Sequence, residues 1–320
     1  MFGHGVPAVL SVIPDTFTFA WIVAILFAIS WALDSRGLAA GRVLAAATWA
    51  LFGLFWLSTV PYFAFEHQSY VESILALVGF PASVYAGYLL YDGRASLFTL
   101  TRAIAFMLFI YLPFETIPAF TVAGVAVPEP RRVLIEIVAS QTGALIDLLG
   151  YAPEAVASNE GYDAAYSWTL DDGHTVVIHI VLACTGLGSM AIFGGLVAAV
   201  EAPLTRKLRA LAVSIPLIYG LNILRTTFIS VVSGNQYMHW YPDLVMTMFG
   251  ATDPYRVSFL ISDRIMSQLL AVVALIAITF LAVRELPELA VILEDVLYLI
   301  TGEEHDLTEA LDLPREPTNR

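Results

Sequence analysis

The sequence predicts an all-α protein: a polytopic membrane bundle of about seven transmembrane helices, N-terminus outside and C-terminus cytoplasmic, with interfacial helices at its margins. Three observations carry this. Hydrophobic residues make up 58% of the 320 residues and charged ones only 13%, and the mean hydropathy is +0.77, far too apolar for a chain that folds in water. Runs of roughly 18 or more apolar residues, the length that crosses a bilayer core, recur along the chain. Basic residues gather in alternate short loops, the mark of cytoplasmic connections.

The first four runs fall at residues 15–33, 42–60, 72–91 and 101–120, and three more at 175–200, 210–233 and 265–283. Arg36 and Arg42 stand between the first two, Arg94 and Arg102 between the third and fourth, and Arg206, Lys207 and Arg209 between the fifth and sixth. These loops are expected inside. Residues 1–14 and 61–71 hold no Lys or Arg, so they are expected outside, together with the longer segments 121–174 and 234–263. Arg131, Arg132 and Arg256 run against the rule, but charges in longer segments constrain orientation less. No basic region precedes the first run, which points to a retained helix rather than a cleaved signal peptide.

Between the spans, Pro128 and Pro130 precede residues 131–149, where Leu134, Ile137, Val138 and Leu145 are interrupted by Glu136, Gln141 and Asp147. That pattern predicts an amphipathic helix at the membrane interface. Residues 150–173, rich in Asp, Glu, Asn, Gly and aromatics, read as a loop or short hairpin capping a site from outside. Tyr237, His239, Trp240 and Tyr241 suit an aromatic belt. After Arg284 an interfacial helix and a disordered polar tail at 314–320 are expected. The division is a transmembrane body, 1–284, and an acidic cytoplasmic tail, 285–320.

Several function classes are excluded. One cysteine forbids an internal disulfide, and the six histidines show no HxxxH spacing, so no metal or other cofactor is expected. Net charge is −13 and Lys207 is the sole lysine, which argues against nucleic acid and leaves no lysine in the last span for a retinal Schiff base. Such acidity suits loops kept hydrated at high salt.

The chemistry gathers around Leu182-Ala183-Cys184-Thr185-Gly186-Leu187-Gly188-Ser189. A lone membrane cysteine is by itself ordinary packing. Two arginines change that reading, because charges at membrane depth are costly and mark function: Arg225 lies inside the sixth run and Arg264 opens the seventh. Under the loop-derived topology Cys184 lies about ten residues and Arg225 about eight residues below the outer ends of their spans, so all three share the outer half. Asn222 stands three residues before Arg225, and Arg264, Ser267 and Gln268 are spaced i, i+3, i+4, so each set occupies one helix face and lines a polar cleft. A guanidinium favours the thiolate, the attacking form, and donates hydrogen bonds to an acyl oxyanion. His179, five residues before Cys184 on a helix, would lie about 140° around the axis and is expected to pack rather than act as base. Gly194 and Gly195 suit close helix packing. The alternative is a transporter of an anionic substrate, with Arg225 and Arg264 lining an outward cavity.

With Ala183-Cys184-Thr185-Gly186, then Asn222-Ile223-Leu224-Arg225, then Arg264, the chain resembles the exosortase/archaeosortase family over its seven-span body, most specifically at residues 175–267. Arg264 stands where bacterial relatives typically have histidine, which matches the archaeal branch. The resemblance implies a membrane thiol transpeptidase of the thiol protease class. Cys184 would form an acyl-thioester, Arg225 would assist as proton donor, and Arg264 would stabilise the transition state. Because guanidinium keeps its proton, Arg225 is better described as a hydrogen-bond donor. The implied partners are C-terminal tails of surface proteins, S-layer-type glycoproteins among them, carrying a Pro-Gly-Phe motif, a transmembrane helix and a basic end. A membrane lipid is the implied acyl acceptor. The acidic residues Glu288, Glu294, Asp295, Glu303 and Glu304 are expected to attract that basic end.

Overall fold

The computed structural model describes residues 15–66 and 69–311. The expected lead-in before residue 15, His67 and the polar tail at 314–320 lie outside them. Among the described residues, six helices are long and apolar enough to cross a membrane. The chain divides into two compact units: one holds the residues up to Thr116, Ala191–Lys207 and the residues from Val283 on, the other Ile117–Met190 and Leu208–Ala282.

The first unit is built on α1 (Thr16–Asp34), α2 (Ala39–Pro61), α3 (Tyr70–Asp92) and α4 (Leu97–Thr116). Asp15 caps α1, its carboxylate accepting from the Phe17 and Thr18 amides at 3.2 and 3.0 Å, which satisfies donors that a helix start leaves open. Phe27, Val23, Leu90 and Leu97 are fully buried, and Trp49 donates through Nε1 to Thr101 Oγ1 at 2.9 Å, joining α2 to α4. Helix backbones approach closely where glycine allows it: a Cβ on Gly87 of α3 would stand 2.8 Å from the Ala46 carbonyl of α2. Outward faces stay apolar, with Ile74 and Leu75 of α3 61% and 63% exposed, as lipid-facing residues are.

The same unit contains α11 (Ala290–Thr301) and the short α12 (Leu307–Ala310). Arg94, after α3, donates through Nε to Asp295 at 2.7 Å and through Nη1 to Glu304 at 2.7 Å, and its guanidinium lies 3.8 Å from the centre of the Tyr298 ring. Arg206 pairs with Glu288 at 2.8 Å, and Glu294 accepts from the Leu307 amide at 2.8 Å. Glu288, Glu294, Asp295 and Glu304 are therefore engaged within the chain.

The second unit opens with a hairpin, β1 (Phe120–Val122) and β2 (Val125–Val127), then α5 (Pro130–Leu148), the amphipathic helix expected at 131–149. A three-stranded antiparallel sheet follows in the order β3 (Glu154–Val156), β4 (Ala165–Thr169), β5 (Thr175–His179), with Ala165 opposite His179 and Thr169 opposite Thr175. The hydroxyl of Tyr166 on β4 donates to the Ala139 carbonyl of α5 at 2.5 Å. The unit is completed by α7 (Leu204–Gly234) from Leu208 on, α8 (Pro242–Phe249) and, up to Ala282, a continuous helical run over Pro254–Glu285.

Two expected spans change. Residues 175–200 are not one helix: β5 occupies the first five, a 3-10 turn spans Leu182–Thr185, and α6 covers only Leu187–Ala199. The β-branched run Thr175-Val176-Val177 pairs as a strand with β4 instead of starting a helix. Thirteen residues of α6 rise about 20 Å, less than a bilayer core. The last span starts at Pro254 rather than at residue 265. It begins with a 3-10 turn, Pro254–Arg256, and α9 (Val257–Phe259), widens to a π-helix over Leu260–Ser267, and continues as α10 (Gln268–Glu285). Pro254 stands at its first position and Asp253 caps it, accepting from the Tyr255 amide at 2.9 Å.

Candidate active site

Cys184 sits in the 3-10 turn ahead of α6, outside the six long apolar helices, and is half-buried. The turn is self-closing: the Cys184 amide donates to the Val181 carbonyl at 2.8 Å, and Thr185 Oγ1 donates to the Leu182 carbonyl at 2.7 Å. Gly186 then reverses the backbone at φ +76°, a left-handed conformation open to glycine, and α6 starts one residue later. The expected position of Cys184 inside a helical span is thus replaced by a turn at a helix entrance. The angular argument that set His179 aside also lapses, because His179 ends β5; its Nδ1 is buried without a partner.

Asn222 and Thr226, one turn apart on α7, hold this turn. Asn222 Nδ2 donates to the Cys184 carbonyl in a very short hydrogen bond, and Thr226 Oγ1 lies 3.2 Å from the same oxygen and 2.9 Å from the Asn222 carbonyl. Asn222 and Thr226 are both buried. On the other side α5 packs against the turn. Asn222 therefore fixes the backbone beneath the thiol, a more specific task than lining a cleft.

Arg225 and Arg264 meet through a residue that sequence reasoning left at the end of an outer loop, Asp263. Arg225 Nη2 lies 2.6 Å from Asp263 Oδ1, and Arg264 Nε lies 3.5 Å from Asp263 Oδ2. Asp263 is 8% exposed. The signal was available: the Asp253-Pro254 pair is a helix start, and counting from it places Asp263 and Arg264 inside the last helix rather than at its mouth. The widened π stretch also changes the angular step, so a shared face for Arg264, Ser267 and Gln268 no longer follows from α-helical spacing. Ser267 is buried with Oγ unpaired, and Gln268 is half-buried at the start of α10.

Electrostatically, desolvation raises the Cys184 thiol above its ordinary value; a backbone hydrogen bond at Val181 and the charges of Arg225 and Arg264 pull it down, and Asp263 opposes them. The two arginines thus favour the thiolate that burial disfavours. An open groove of about 520 Å³, lined by none of these charged residues, runs along α7 past Pro216, Gly220 and Leu224 to Gln141 of α5, where Tyr219 donates to Gln141 Oε1 at 2.6 Å. Among the described residues, no group of three or more His, Cys, Asp or Glu side chains is arranged to hold a metal ion.

A half-buried thiol on a pinned turn, two arginines sharing one carboxylate, and an apolar helical body are an unusual combination, and comparison with known proteins gives it a place. Residues 12–254 match the family model described as transmembrane exosortase. The chain is 53% identical over 294 residues to archaeosortase A of Haloferax volcanii, covering 92% of this chain and 97% of that protein. It is 42% identical over 307 residues to archaeosortase A of Natronomonas pharaonis, covering 92% and 91%. No solved structure matches it. By the extent of the family match and of both likenesses, the chain belongs to the transmembrane exosortase family.

Proposed function

We propose that this protein is a membrane thiol transpeptidase that processes the C-terminal sorting tails of surface proteins at a Pro-Gly-Phe motif and leaves them lipid-anchored. The observation that carries the reading is the convergence of the chain's single thiol with Arg225, Asp263 and Arg264. In this scheme the Cys184 thiolate attacks the scissile carbonyl carbon, and the oxyanion so formed accepts hydrogen bonds from guanidinium N–H groups. The C–N bond then breaks, the amine leaves with the proton the thiol gave up, and the acyl group stays on sulfur as a thioester. A hydroxyl or amine on a membrane lipid attacks the thioester carbonyl, the C–S bond breaks, the nucleophile's proton passes to the departing thiolate, and the acyl chain ends on the lipid. Arg225 and Arg264 act throughout as donors that keep their own protons.

The loop charges supply the orientation. Arg36 and Arg42, Arg94 and Arg102, and Arg206, Lys207 and Arg209 mark cytoplasmic connections, which puts the Cys184 turn toward the outer leaflet. A substrate helix with its basic end inside would then present its Pro-Gly-Phe motif on that same side.

The test is processing of a Pro-Gly-Phe-tailed reporter in cells carrying wild type, Cys184→Ala or Cys184→Ser, with reporter mass and membrane attachment measured. Wild type should give a shortened, lipid-shifted product and both variants full-length precursor. Undiminished processing by Cys184→Ala would make the cysteine packing and end the proposal. A shortened product that stays water-soluble would replace transpeptidation by hydrolysis.

A further inference from the structure

Two guanidiniums and one carboxylate share the space beside the Cys184 turn, and their geometry is unequal. Arg225 Nη2 to Asp263 Oδ1 is 2.6 Å, the length of a strong charge-assisted hydrogen bond. Arg264 Nε to Asp263 Oδ2 is 3.5 Å, an ion-pair distance too long for a good hydrogen bond. Consecutive residues of an α-helix diverge by about 100°, and the π widening over Leu260–Ser267 alters that angle where Asp263 and Arg264 are adjacent. π segments of this kind occur often at functional sites.

Electrostatics gives the carboxylate a reason to be there. Without it, two cations in apolar surroundings would repel each other, and each would bear its own desolvation cost. With it the cluster carries a net single positive charge. Arg225 spends Nη2 on Asp263, while its Nε is buried with no partner. Buried N–H groups are nearly always satisfied, so this one calls for an acceptor from outside the chain.

We infer that Asp263 is a positioning residue: its carboxylate, set between the two arginines, fixes the Arg225 guanidinium through Nη2 and leaves the other N–H groups, Nε among them, oriented to receive the substrate oxygen. The inference rests on the thiol transpeptidase reading and deepens it. Asp263 touches no reacting atom in this scheme; it acts through Arg225 and, by its charge, on the thiol. The charged groups acting on the Cys184 thiol are Arg225, Asp263 and Arg264, so removing the negative one should ease thiolate formation while loosening the donor.

Those opposite effects separate positioning from a merely structural role. The experiment takes the full chain in detergent micelles and follows the rate of Cys184 alkylation by iodoacetamide against pH. The same variants are scored in cells by processing of the Pro-Gly-Phe-tailed reporter. Asp263→Asn and Asp263→Ala should move the alkylation midpoint to lower pH, because the group that opposed the thiolate is gone, and Asp263→Glu should keep it near wild type. Processing should nevertheless slow, for Asp263→Ala on the order of 10²-fold, the loss expected when a positioned group shifts by an ångström. Asp263→Glu should recover part of it. Should Asp263→Ala fail to accumulate, the Asn and Glu variants decide: equal processing by the two, or an unchanged midpoint in Asp263→Asn, overturns the inference. Alkylation is read without any substrate, so normal processing by Cys184→Ala would sink the transpeptidase reading while leaving the midpoint comparison standing.

Discussion

At the scale of single residues, the Cys184 turn depends on Gly186. Its φ of +76° costs an L residue roughly 1–2 kcal/mol, and a Cβ there would stand 3.1 Å from Asn222 Cβ and 3.2 Å from Asn222 Cγ. Gly186→Ala should therefore destabilise the protein by about 1–2 kcal/mol and push Asn222 away from the Cys184 carbonyl. Thermal unfolding in detergent and the rate of Cys184 alkylation read the two consequences; an alanine variant with wild-type values in both would show that the turn does not need its glycine. Residues of this kind are half legible in sequence. Cys184, Arg225 and Arg264 stand out because each is rare in its setting, a lone thiol and two charges among apolar residues. Asp263 did not, since a carboxylate beside an expected helix end looks solvated, and only the true helix start at Pro254 moves it inside. Thr226 was invisible for another reason: a helical threonine usually bonds its own backbone four residues back, and this one reaches the Cys184 carbonyl as well.

At the scale of elements, hydropathy located the long helices because their period and length are set by the bilayer. It failed at β5 and α6, where a strand, a turn and a short helix together have the composition of one span. The hairpin of β4 and β5 is held at its tip by a contact that pairing alone would not predict. Tyr255, at the start of the last long helix, donates through its hydroxyl to Asp172 at 2.6 Å, and the His174 ring stacks on Tyr255 with centroids 3.6 Å apart. The Tyr255 hydroxyl, with the His174 amide behind it, holds the Asp172 carboxyl below its ordinary value of 3.8. A carboxyl depressed in this way contributes stability that is complete above the ordinary value and is lost as pH falls through the lower, folded one. The hairpin tip should thus stay protected at neutral pH and open in acid below 3.8. Tyr255→Phe should open it at neutral pH already. Hydrogen exchange of the amides of residues 170–175, corrected for intrinsic rates, checks both; equal protection in wild type and Tyr255→Phe would remove the hydroxyl from the account.

At the scale of the whole molecule, the distribution of charge matters more than its sum. Fifteen basic residues against 28 acidic ones give little leverage unless they are sorted, and seven of the basic ones, Arg36, Arg42, Arg94, Arg102, Arg206, Lys207 and Arg209, lie in or next to the short connections after α1, α3 and α6. In the C-terminal segment Asp295 and Glu304 pair with Arg94 and Glu288 with Arg206, so part of its acidity serves the fold. What composition cannot give is the side of the membrane on which the Cys184 turn lies, and the sole cysteine makes that measurable. Cys184→Ala leaves a chain with no thiol, into which one cysteine can be returned at a chosen point. Asp171, exposed at the tip of the β4–β5 hairpin, and Arg36, exposed between α1 and α2, fall on opposite sides under the loop-charge orientation. In intact cells a membrane-impermeant maleimide should label Asp171→Cys and leave Arg36→Cys untouched until lysis. The reverse pattern would turn the molecule over, place the Cys184 turn on the cytoplasmic side, and leave a substrate with its basic end inside unable to meet it.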